Sequence, residues 1–297
     1  FTYQDSQGRI WVGLLGGGLN LISEANGTIA FKHKYNGLKQ YPLYGLYMEV
    51  RTMTEDNDGR IWVGTMDGLM SFDGHFTNPE EIQFETYRQV SERSNVADND
   101  IYVLYKDSES QIWVSVFGGG LNKLVHYDKE RRVPVFKSYG IREGMNNDVV
   151  KSIVEDKDGN LWFTTEIGLS CFNKDTEQFR NYDRYDGFLN VELEESSALR
   201  TLSGDLWLGS RQGILTFSPN KLETQNMNYD TRIVDFKISN RDLRSFHEDP
   251  VLKESITFAD AIRLKYNQSM FIIEFAALNF YNPNRVFYRY ILEGYEK

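Results

Sequence analysis

Four short turns that begin with aspartate are the first segments of this sequence that could carry chemistry. They start at Asp5, Asp56, Asp107 and Asp156. Turns rich in oxygen suggest calcium, but a twelve-residue calcium loop closes with a bidentate Glu. If Asp58 and Gly59 held the fifth and sixth positions of such a loop, the twelfth would be Thr65. We therefore interpret the turns as hairpins, in which Asp binds nearby backbone N–H groups and Gly takes a positive φ, and we predict no metal and no cofactor.

Other catalytic patterns are weak. A glycosidase needs two carboxylates about 5 to 10 Å apart across the sugar, and this acidic sequence singles out no pair. The glycine triplets at 16–18 and 118–120 lie between strand patterns, without the following helix and Lys-Ser/Thr that a phosphate loop requires. The four histidines are His33, His75, His126 and His247, and their spacing follows no regular pattern. We predict that the chain is not an enzyme, with a glycan-active propeller enzyme as a less favoured alternative.

Composition excludes several classes of partner. The net charge is −10, from 43 acidic and 33 basic residues, and no run of Lys or Arg could follow a phosphate backbone. We therefore expect no nucleic acid to bind. Cys171 is the single cysteine, so no internal disulfide can form. No long apolar window predicts a membrane span, whereas 18 Tyr, 19 Phe and only 6 Pro favour β-strands.

A repeat of about 50 residues organises the chain. An apolar residue and a Trp follow each acidic turn, and a Gly-apolar pair comes next. The tryptophans, which are Trp11, Trp62, Trp113, Trp162 and Trp207, are separated by 51, 51, 49 and 45 residues. We predict that all five occupy equivalent positions on the second strand of a unit and that all five are buried.

Each unit contains four short apolar runs. In the fourth they span 149–155, 161–164, 169–172 and 179–182. Four strands in a unit of this length predict a blade of a β-propeller. We expect five four-stranded blades over 1–220, ending at Pro219, because Pro cannot donate to a sheet ladder. We also expect further blades to precede residue 1, so that this propeller is part of a larger one.

A different pattern occupies 221–297. Strand-like runs cover 232–239, 262–264, 271–276 and 286–292, and no Trp occurs among them. Phe271, Ile273 and Phe275 fall on one face of their run and should be buried. This pattern predicts the N-terminal part of a small antiparallel β-sandwich, so that the fold class of the whole chain is all-β.

Two stretches resemble known families. The unit from Gly144 to Leu169 closely resembles the two-component regulator propeller repeat, and all five units fit it. Residues 273–283 and 287–295 resemble the triple-tyrosine (Y_Y_Y) domain, an immunoglobulin-like sandwich that follows such propellers. Two departures lie in the scaffold of the repeat: Ser110 and Ser115 replace Gly in the third unit, and Thr201 begins the fifth in place of the acidic residue.

The resemblance implies the sensor region of a bacterial hybrid two-component system. Such a region lies in the periplasm and detects a ligand, in several members an oligosaccharide. The sandwich then passes the signal through a membrane anchor, expected outside this chain, to a histidine kinase that regulates transcription. A homodimer is expected in the full-length protein. A scaffold that binds a protein or peptide partner is the alternative, because propellers use the same face for both kinds of ligand.

We expect the ligand to bind two sets of loops on one face of the propeller. The lead-in loops precede the first strand of each blade, and the joining loops connect its second and third strands. These loops vary while the acidic turns repeat, and specificity resides in variable loops on a fixed frame. Amide, carboxylate and guanidinium groups bind hydroxyls, and aromatic rings cover C–H surfaces. The candidates are Tyr44, Tyr47, Asp67, Asn99, Phe117, Asn147, Glu166, Asn190, Arg211 and Gln212.

Overall fold

The structure is a computed structural model of the 297-residue chain. It describes residues 1–25, 27–88, 99–182, 186, 192–222, 231–238, 241–242, 256, 261–266, 268–277 and 291. The chain divides into two compact units, Phe1–Leu222 and Glu223–Lys297.

Unit one is a five-bladed β-propeller whose blades follow each other along the chain. Blade one contains β1 (Thr2–Gln4), β2 (Ile10–Leu14), β3 (Gly18–Ala25) and β4 (Thr28–Lys32). Blade two contains β5 (Val50–Glu55), β6 (Arg60–Thr65), β7 (Gly68–Asp73) and β8 (Glu85–Tyr87). Blade three contains β9 (Ile101–Lys106), β10 (Ile112–Val116), β11 (Gly120–Asp128) and β12 (Val133–Tyr139). Blade four contains β13 (Val150–Glu155), β14 (Leu161–Thr165), β15 (Gly168–Asn173) and β16 (Gln178–Tyr182), and blade five contains β17 (Leu193–Arg200), β18 (Leu206–Ser210) and β19 (Gly213–Phe217).

Every blade is an antiparallel meander in which each strand pairs with the next. The first strands of consecutive blades contact each other, β5 with β9, β9 with β13 and β13 with β17, which makes them the innermost strands. Short 3-10 turns at Pro79–Glu81, Ile141–Glu143 and Pro219–Lys221 lie outside the sheets. The prediction of four strands per blade is wrong for blade five among the described residues. After β19 the chain turns at Pro219, which has no N–H to donate to a further ladder.

Four hydrophobic cores hold the propeller together, and each lies between two consecutive blades. In the first, Trp11 of blade one packs with Ile61 and Phe72 of blade two. In the fourth, Trp162 of blade four packs with Leu206 and Leu208 of blade five. The sheets are thus joined by side chains that interdigitate face to face, as in other radial repeats of β-sheets.

The prediction that all five tryptophans are buried is right for four and wrong for one. Trp11, Trp62, Trp113 and Trp162 are 0, 1, 1 and 3% exposed, whereas Trp207 is 42% exposed. Each buried indole is covered by the following blade. Trp207 belongs to the last blade of the propeller unit, so no following blade covers it among the described residues.

A serine in blade three takes a backbone conformation that favours glycine. Ser110 has a φ of 65°, and Gly59 and Gly159, at the same position of their turns, have φ of 77° and 81°. Left-handed backbone destabilises a residue with a Cβ by about 1–2 kcal/mol. Replacing that residue by Gly removes the strain but costs about 0.4–1 kcal/mol, because Gly raises the conformational entropy of the unfolded chain. We expect Ser110→Gly to raise the free energy of unfolding by about 0.5–1 kcal/mol, measured by urea denaturation. Gly159→Ser is the matched control and should lower it; the same sign for both variants would contradict the strain.

Buried phenols make the fold sensitive to alkali. Burial raises the pKa of Tyr47 from its ordinary value of 10 to about 12, and burial also raises the pKa of Tyr41 and Tyr87. Since folding favours the neutral phenol, this stabilisation is complete below pH 10 and is lost as the pH rises towards the folded pKa. We expect the free energy of unfolding to fall above pH 10 by about 1.4 kcal/mol per pH unit for each tyrosine.

The control for the alkaline effect is Tyr47→Phe. The Tyr47 hydroxyl is buried and has no hydrogen-bond partner within the part of the chain that the structure describes, so its removal should leave the fold intact at pH 7. In urea unfolding between pH 9 and pH 11.5, the free energy of unfolding of the variant should fall less steeply with pH, because one titrating tyrosine is missing. An unchanged slope would show that Tyr47 titrates normally.

Unit two contains a three-stranded antiparallel sheet in the order β21-β20-β22. Its strands are β20 (Thr231–Ile238), β21 (Arg241–Asp242) and β22 (Phe271–Ala277). Phe236 and Ile238 of β20 are buried and pack with Ile256, Ile262 and Leu264.

Two predictions for this unit are wrong. Residues 262–264 form no strand, and the expected buried face of β22 is open, since Phe271 and Ile273 are 39 and 42% exposed. The reason is that β20 supplies the buried residues here, and Phe271 stacks on Phe236 with 5.9 Å between ring centroids. The strand expected at 286–292 lies outside the described residues, apart from Ile291, which is not in a strand. The β-sandwich stays a prediction.

Candidate functional site

The aspartates of the repeated turns are occupied by structural hydrogen bonds. In each turn one carboxylate oxygen accepts the backbone N–H groups two and four residues later, as at Asp156. The other oxygen accepts the indole N–H of the Trp six residues later, at 2.7 to 2.9 Å in the four blades that have the Asp. In blade five Thr201 takes this position and its hydroxyl accepts the Asp205 N–H. These contacts are those of hairpin turns.

The two predicted sets of loops lie side by side on one face. The Met66 N–H of a joining loop donates to the Glu49 carbonyl of a lead-in loop at 3.1 Å. In the same way the Phe117 N–H donates to Asp100 at 2.9 Å, and the Arg211 N–H donates to Glu192 at 3.2 Å. The Asp-Gly turns lie at the other ends of the strands. The two loop sets therefore form a common surface around the innermost strands.

An ion cluster at the centre of this surface joins three blades. Arg51 of blade two lies with its Nε 3.0 Å from Asp100 Oδ1 of blade three. Its Nη1 donates to Glu195 Oε2 of blade five at 2.7 Å. The guanidinium also lies over the Tyr102 ring, 4.6 Å from the ring centroid. We call Arg51, Asp100, Tyr102, Phe117, Glu166 and Glu195 the channel-mouth cluster.

The aromatic part of this cluster is partly open to solvent. The Tyr102 and Phe117 rings lie 5.5 Å apart, and Phe117 is 42% exposed. Burial raises the pKa of Tyr102, and the negative charges of Glu195, Asp100 and Glu166 raise it further, while Arg51 opposes them. Tyr102 is therefore a neutral hydrogen-bonding group at neutral pH. The cluster combines a ring surface with carboxylates and a guanidinium.

Three other predicted residues meet at the rim of blade two. Asp67 is buried, accepts the Leu46 N–H at 2.9 Å and pairs with Arg88. Tyr44 packs edge-on against Tyr47 with 5.4 Å between centroids. Because Asp67 and Tyr47 are buried, Tyr44 is the member of this group that offers most surface, being 57% exposed.

The remaining predicted residues are dispersed. Arg211 pairs with Glu192 and Glu194, each at 3.0 Å, and Gln212 forms the adjacent turn. Asn147 accepts the Val149 N–H at 2.7 Å at the start of blade four, which is a structural role. Asn99 precedes Asp100 in its lead-in loop. Asn190 lies outside the described residues.

Four members of the cluster were not predicted from the sequence. Arg51, Tyr102 and Glu195 lie inside the first strands, whereas the predicted residues were taken from loops. Asp100 lies in the lead-in loop of blade three, where Asn99 was predicted instead. The available signal was charge near the loop-side end of a first strand: Arg51 is the second residue of β5, and Glu195 is the third residue of β17.

A cleft of about 620 Å³ opens elsewhere, between blades two and three on the side of the Asp-Gly turns. Its lining includes Arg60, His75, Glu85, Tyr127 and Lys129. Glu85 accepts hydrogen bonds from Arg60 and Tyr87, both at 2.9 Å, and from Tyr127, and Lys129 pairs with Asp58. We place the candidate site at the channel-mouth cluster, because it lies on the loop face and includes the exposed Phe117 and Glu166, whereas the cleft lies on the side of the Asp-Gly turns.

Comparisons with known proteins agree with this architecture. Residues 45–67 and 144–166 match the family described as two component regulator propeller. The histidine kinase P4 of Formosa agariphila is 29% identical over 299 residues, which cover 100% of this chain and 21% of that protein. The chain therefore spans about a fifth of the length of this relative.

Solved structures show the fold. PorZ, an essential bacterial surface component of the type-IX secretion system of Porphyromonas gingivalis, aligns with a TM-score of 0.52 at 13% identity, covering 77% of this chain and 33% of that one. The extracellular domain of a hybrid two-component system from B. thetaiotaomicron aligns with a TM-score of 0.46 at 19% identity, covering 95% and 41%. The chain is an all-β propeller protein, and two of its segments match the two component regulator propeller family.

Proposed function

We propose that this chain is the periplasmic ligand-sensing region of a histidine kinase of the two-component type. The alignment with histidine kinase P4 runs along the whole chain and supports this proposal, as do the two matched propeller segments. The helical segments that the structure describes are 3-10 turns, none of which could cross a membrane. In the full-length sensor, an anchor and a kinase outside this chain would carry the signal that controls transcription, and the sensor would act as a homodimer.

The proposed ligand is an oligosaccharide at the channel-mouth cluster. The observation that carries this is the ion cluster of Arg51, Asp100 and Glu195, which brings planar charged groups from three blades together. Arg51 lies over the Tyr102 ring, and the exposed Phe117 ring lies 5.5 Å from that ring. Carboxylates and guanidinium groups bind sugar hydroxyls in fixed directions, and the Tyr102 and Phe117 rings offer a surface for C–H groups. A ligand that contacts these groups would bridge blades two, three and five.

The double variant Phe117→Ala/Glu166→Gln tests this site. Both side chains are exposed, so the fold should persist. We expect the affinity for the bound sugar to fall at least tenfold, about 1.4 kcal/mol, in calorimetry after a screen of neutral and uronic-acid oligosaccharides. Tyr44→Ala/Gln212→Ala is the matched control on other loops of the same face and should bind normally. A loss in the control alone would move the site to the loops that carry Tyr44 and Gln212, in blades two and five.

A protein or peptide partner is the second candidate. Leu43, Tyr44 and Leu46 in the blade-two lead-in loop are 63, 57 and 50% exposed, and Ile167 in a joining loop is 60% exposed. Exposed apolar side chains on one face are typical of protein interaction sites. This function would be supported if no sugar in the screen binds and if Leu43→Ser/Ile167→Ser abolishes capture of a protein from the native periplasm. The propeller would then be a scaffold that binds a protein partner.

A further inference from the structure

The innermost strand of blade five carries a larger bulge than those of blades two, three and four. Between the pairs Leu193–Ser210 and Ala198–Leu208, β17 advances five residues while β18 advances two, so the bulge contains three extra residues. The first strands of blades two, three and four have one extra residue at the corresponding place. Bulges beside functional sites re-aim side chains.

Blade four holds this bulge in place. The Ser152 hydroxyl donates to the Glu194 carbonyl at 2.9 Å and accepts the Ser197 N–H at 3.0 Å. Between these two anchors, Ser196 has a φ of 50°, a left-handed conformation that is unfavourable for a residue with a Cβ. The anchored bulge directs Glu195 across the centre of the propeller to blade two.

The guanidinium of Arg51 is already engaged by carboxylates of the chain. Its Nε and Nη2 lie 3.0 and 3.2 Å from the Asp100 carboxylate, and its Nη1 lies 2.7 Å from Glu195 Oε2. The plane of the guanidinium lies over the Tyr102 ring. A ligand carboxylate could form the usual paired hydrogen bonds with Arg51 only by displacing one of the two protein carboxylates.

The channel-mouth cluster is acidic as a whole. It contains three carboxylates, those of Asp100, Glu166 and Glu195, and one guanidinium, that of Arg51. The pKa of Tyr102 reflects this balance, because burial raises it and Glu195 and Asp100 each raise it more than Arg51 lowers it. The electrostatic potential at the ring surface is therefore negative.

The nearest other cations on this face are engaged as well. Lys151 donates to a backbone carbonyl of β17 at 3.4 Å. Arg211 pairs with Glu192 and Glu194, each at 3.0 Å. These contacts do not reverse the negative charge of the cluster.

We propose that the channel-mouth cluster selects uncharged oligosaccharides and that Glu195, on the β17 bulge, rejects those that carry carboxylates. This inference rests on the proposed function, since it assigns the class of sugar that the proposed site accepts. Sugar hydroxyls donate to carboxylates, so the groups that bind a neutral sugar repel an acidic one. Like charge held at a binding site lowers the affinity for the wrong ligand and thereby gives specificity.

Matched pairs of oligosaccharides test this selectivity. Oligomers of glucose, galactose and mannose are each compared in calorimetry with the oligomer of glucuronic, galacturonic or mannuronic acid that has the same linkage. The members of a pair differ by the carboxylate at C6. We expect the unmodified chain to bind at least one neutral oligomer at least tenfold more tightly than its acidic counterpart, about 1.4 kcal/mol.

Glu195→Gln keeps the shape of the side chain and removes its charge, and the side chain is 43% exposed, so the fold should persist. In this variant the preference for the neutral member should fall about threefold, as expected for one partly screened charge. Glu166→Gln should act in the same direction and provides a second test. High salt should also reduce the preference in the unmodified chain, because ions screen exposed charges.

Glu130→Gln is the matched control for net charge. Glu130 is exposed on the hairpin between β11 and β12, at the opposite ends of the strands from the two loop sets. This variant should keep the preference of the unmodified chain, and a change here would refute a local effect of Glu195.

The failure of this inference differs from the failure of the proposed function. If an acidic member binds the unmodified chain as tightly as its neutral partner, or if Glu195→Gln and Glu166→Gln leave the preference unchanged, the selectivity is overturned while the sugar site stands. If no member of any pair binds, the proposed function and this inference fail together.

Discussion

Replacing Trp162 by Ala is expected to lower the free energy of unfolding by about 3–5 kcal/mol. Trp162 is 3% exposed, stacks on Tyr182 with 5.2 Å between centroids and meets Phe217 of blade five edge-on at 5.2 Å. Its indole N–H donates to Asp156 at 2.7 Å. The variant therefore loses the burial of a large ring, leaves a cavity between two blades and removes the donor for a buried carboxylate.

Trp207→Ala is the matched control for this prediction. Trp207 has the same place in its blade, yet it is 42% exposed and Thr201 stands where the Asp would be. Partial burial of the ring predicts a cost well below that of Trp162→Ala, about 1 kcal/mol. Urea denaturation followed by circular dichroism measures both variants. Equal costs would mean that the interface between blades four and five contributes little.

Replacing Lys174 by Met is expected to lower the free energy of unfolding by about 3–5 kcal/mol as well. The Lys174 side chain is 10% exposed, and its Nζ lies 2.8 Å from Glu155 Oε1 and 3.1 Å from Asp107 Oδ2. Burial by itself would lower the pKa of Lys174, but the hydrogen bonds to Glu155 and Asp107 raise it above its ordinary value. Without the ammonium group, two buried carboxylates face each other between blades three and four.

Two further variants separate this effect from general loss of charge. Lys137 also forms an ion pair, 2.6 Å from Glu177, but both side chains are about half exposed, so Lys137→Met should change stability far less than Lys174→Met, because solvent screens exposed pairs. The double variant Lys174→Met/Glu155→Gln removes one of the opposed charges and should recover part of the loss. A small effect of Lys174→Met by itself in thermal unfolding would contradict a role for this cluster in holding the blades together.

The ion cluster around Lys174 also shows how far the repeat predicts the contacts between blades. Asp107 is a member of the repeated turn, so its bond to Trp113 follows from the pattern. Lys174 lies in another blade, 67 residues away, and nothing in its local sequence indicates its partners. The repeat predicts the geometry within a blade, whereas long side chains that cross between blades depend on which residues face each other after assembly.

The candidate site also contains residues that the sequence predicted and residues that only the assembled fold brings together. Phe117 and Glu166 were predicted from variable loops, and the structure places them near the innermost strands. Arg51 and Glu195 are 144 residues apart, and they meet because blades two and five face each other across the centre. The sequence does not show that these two residues are close in space. Asp67 and Tyr47 were predicted to bind a ligand, but they are buried, because Asp67 bonds the Leu46 N–H and Tyr47 packs into the core between blades one and two.

The sequence by itself determined the all-β class, the five blades and the position of every Trp on a second strand, because these follow from local periodicity and turn chemistry. The tertiary structure decided which faces are covered. Trp162 and Trp207 occupy the same place in the repeat, yet one is buried and the other is open. Burial is a property of the neighbouring blade as much as of the residue, so a repeat unit cannot specify it without the partner that packs against it.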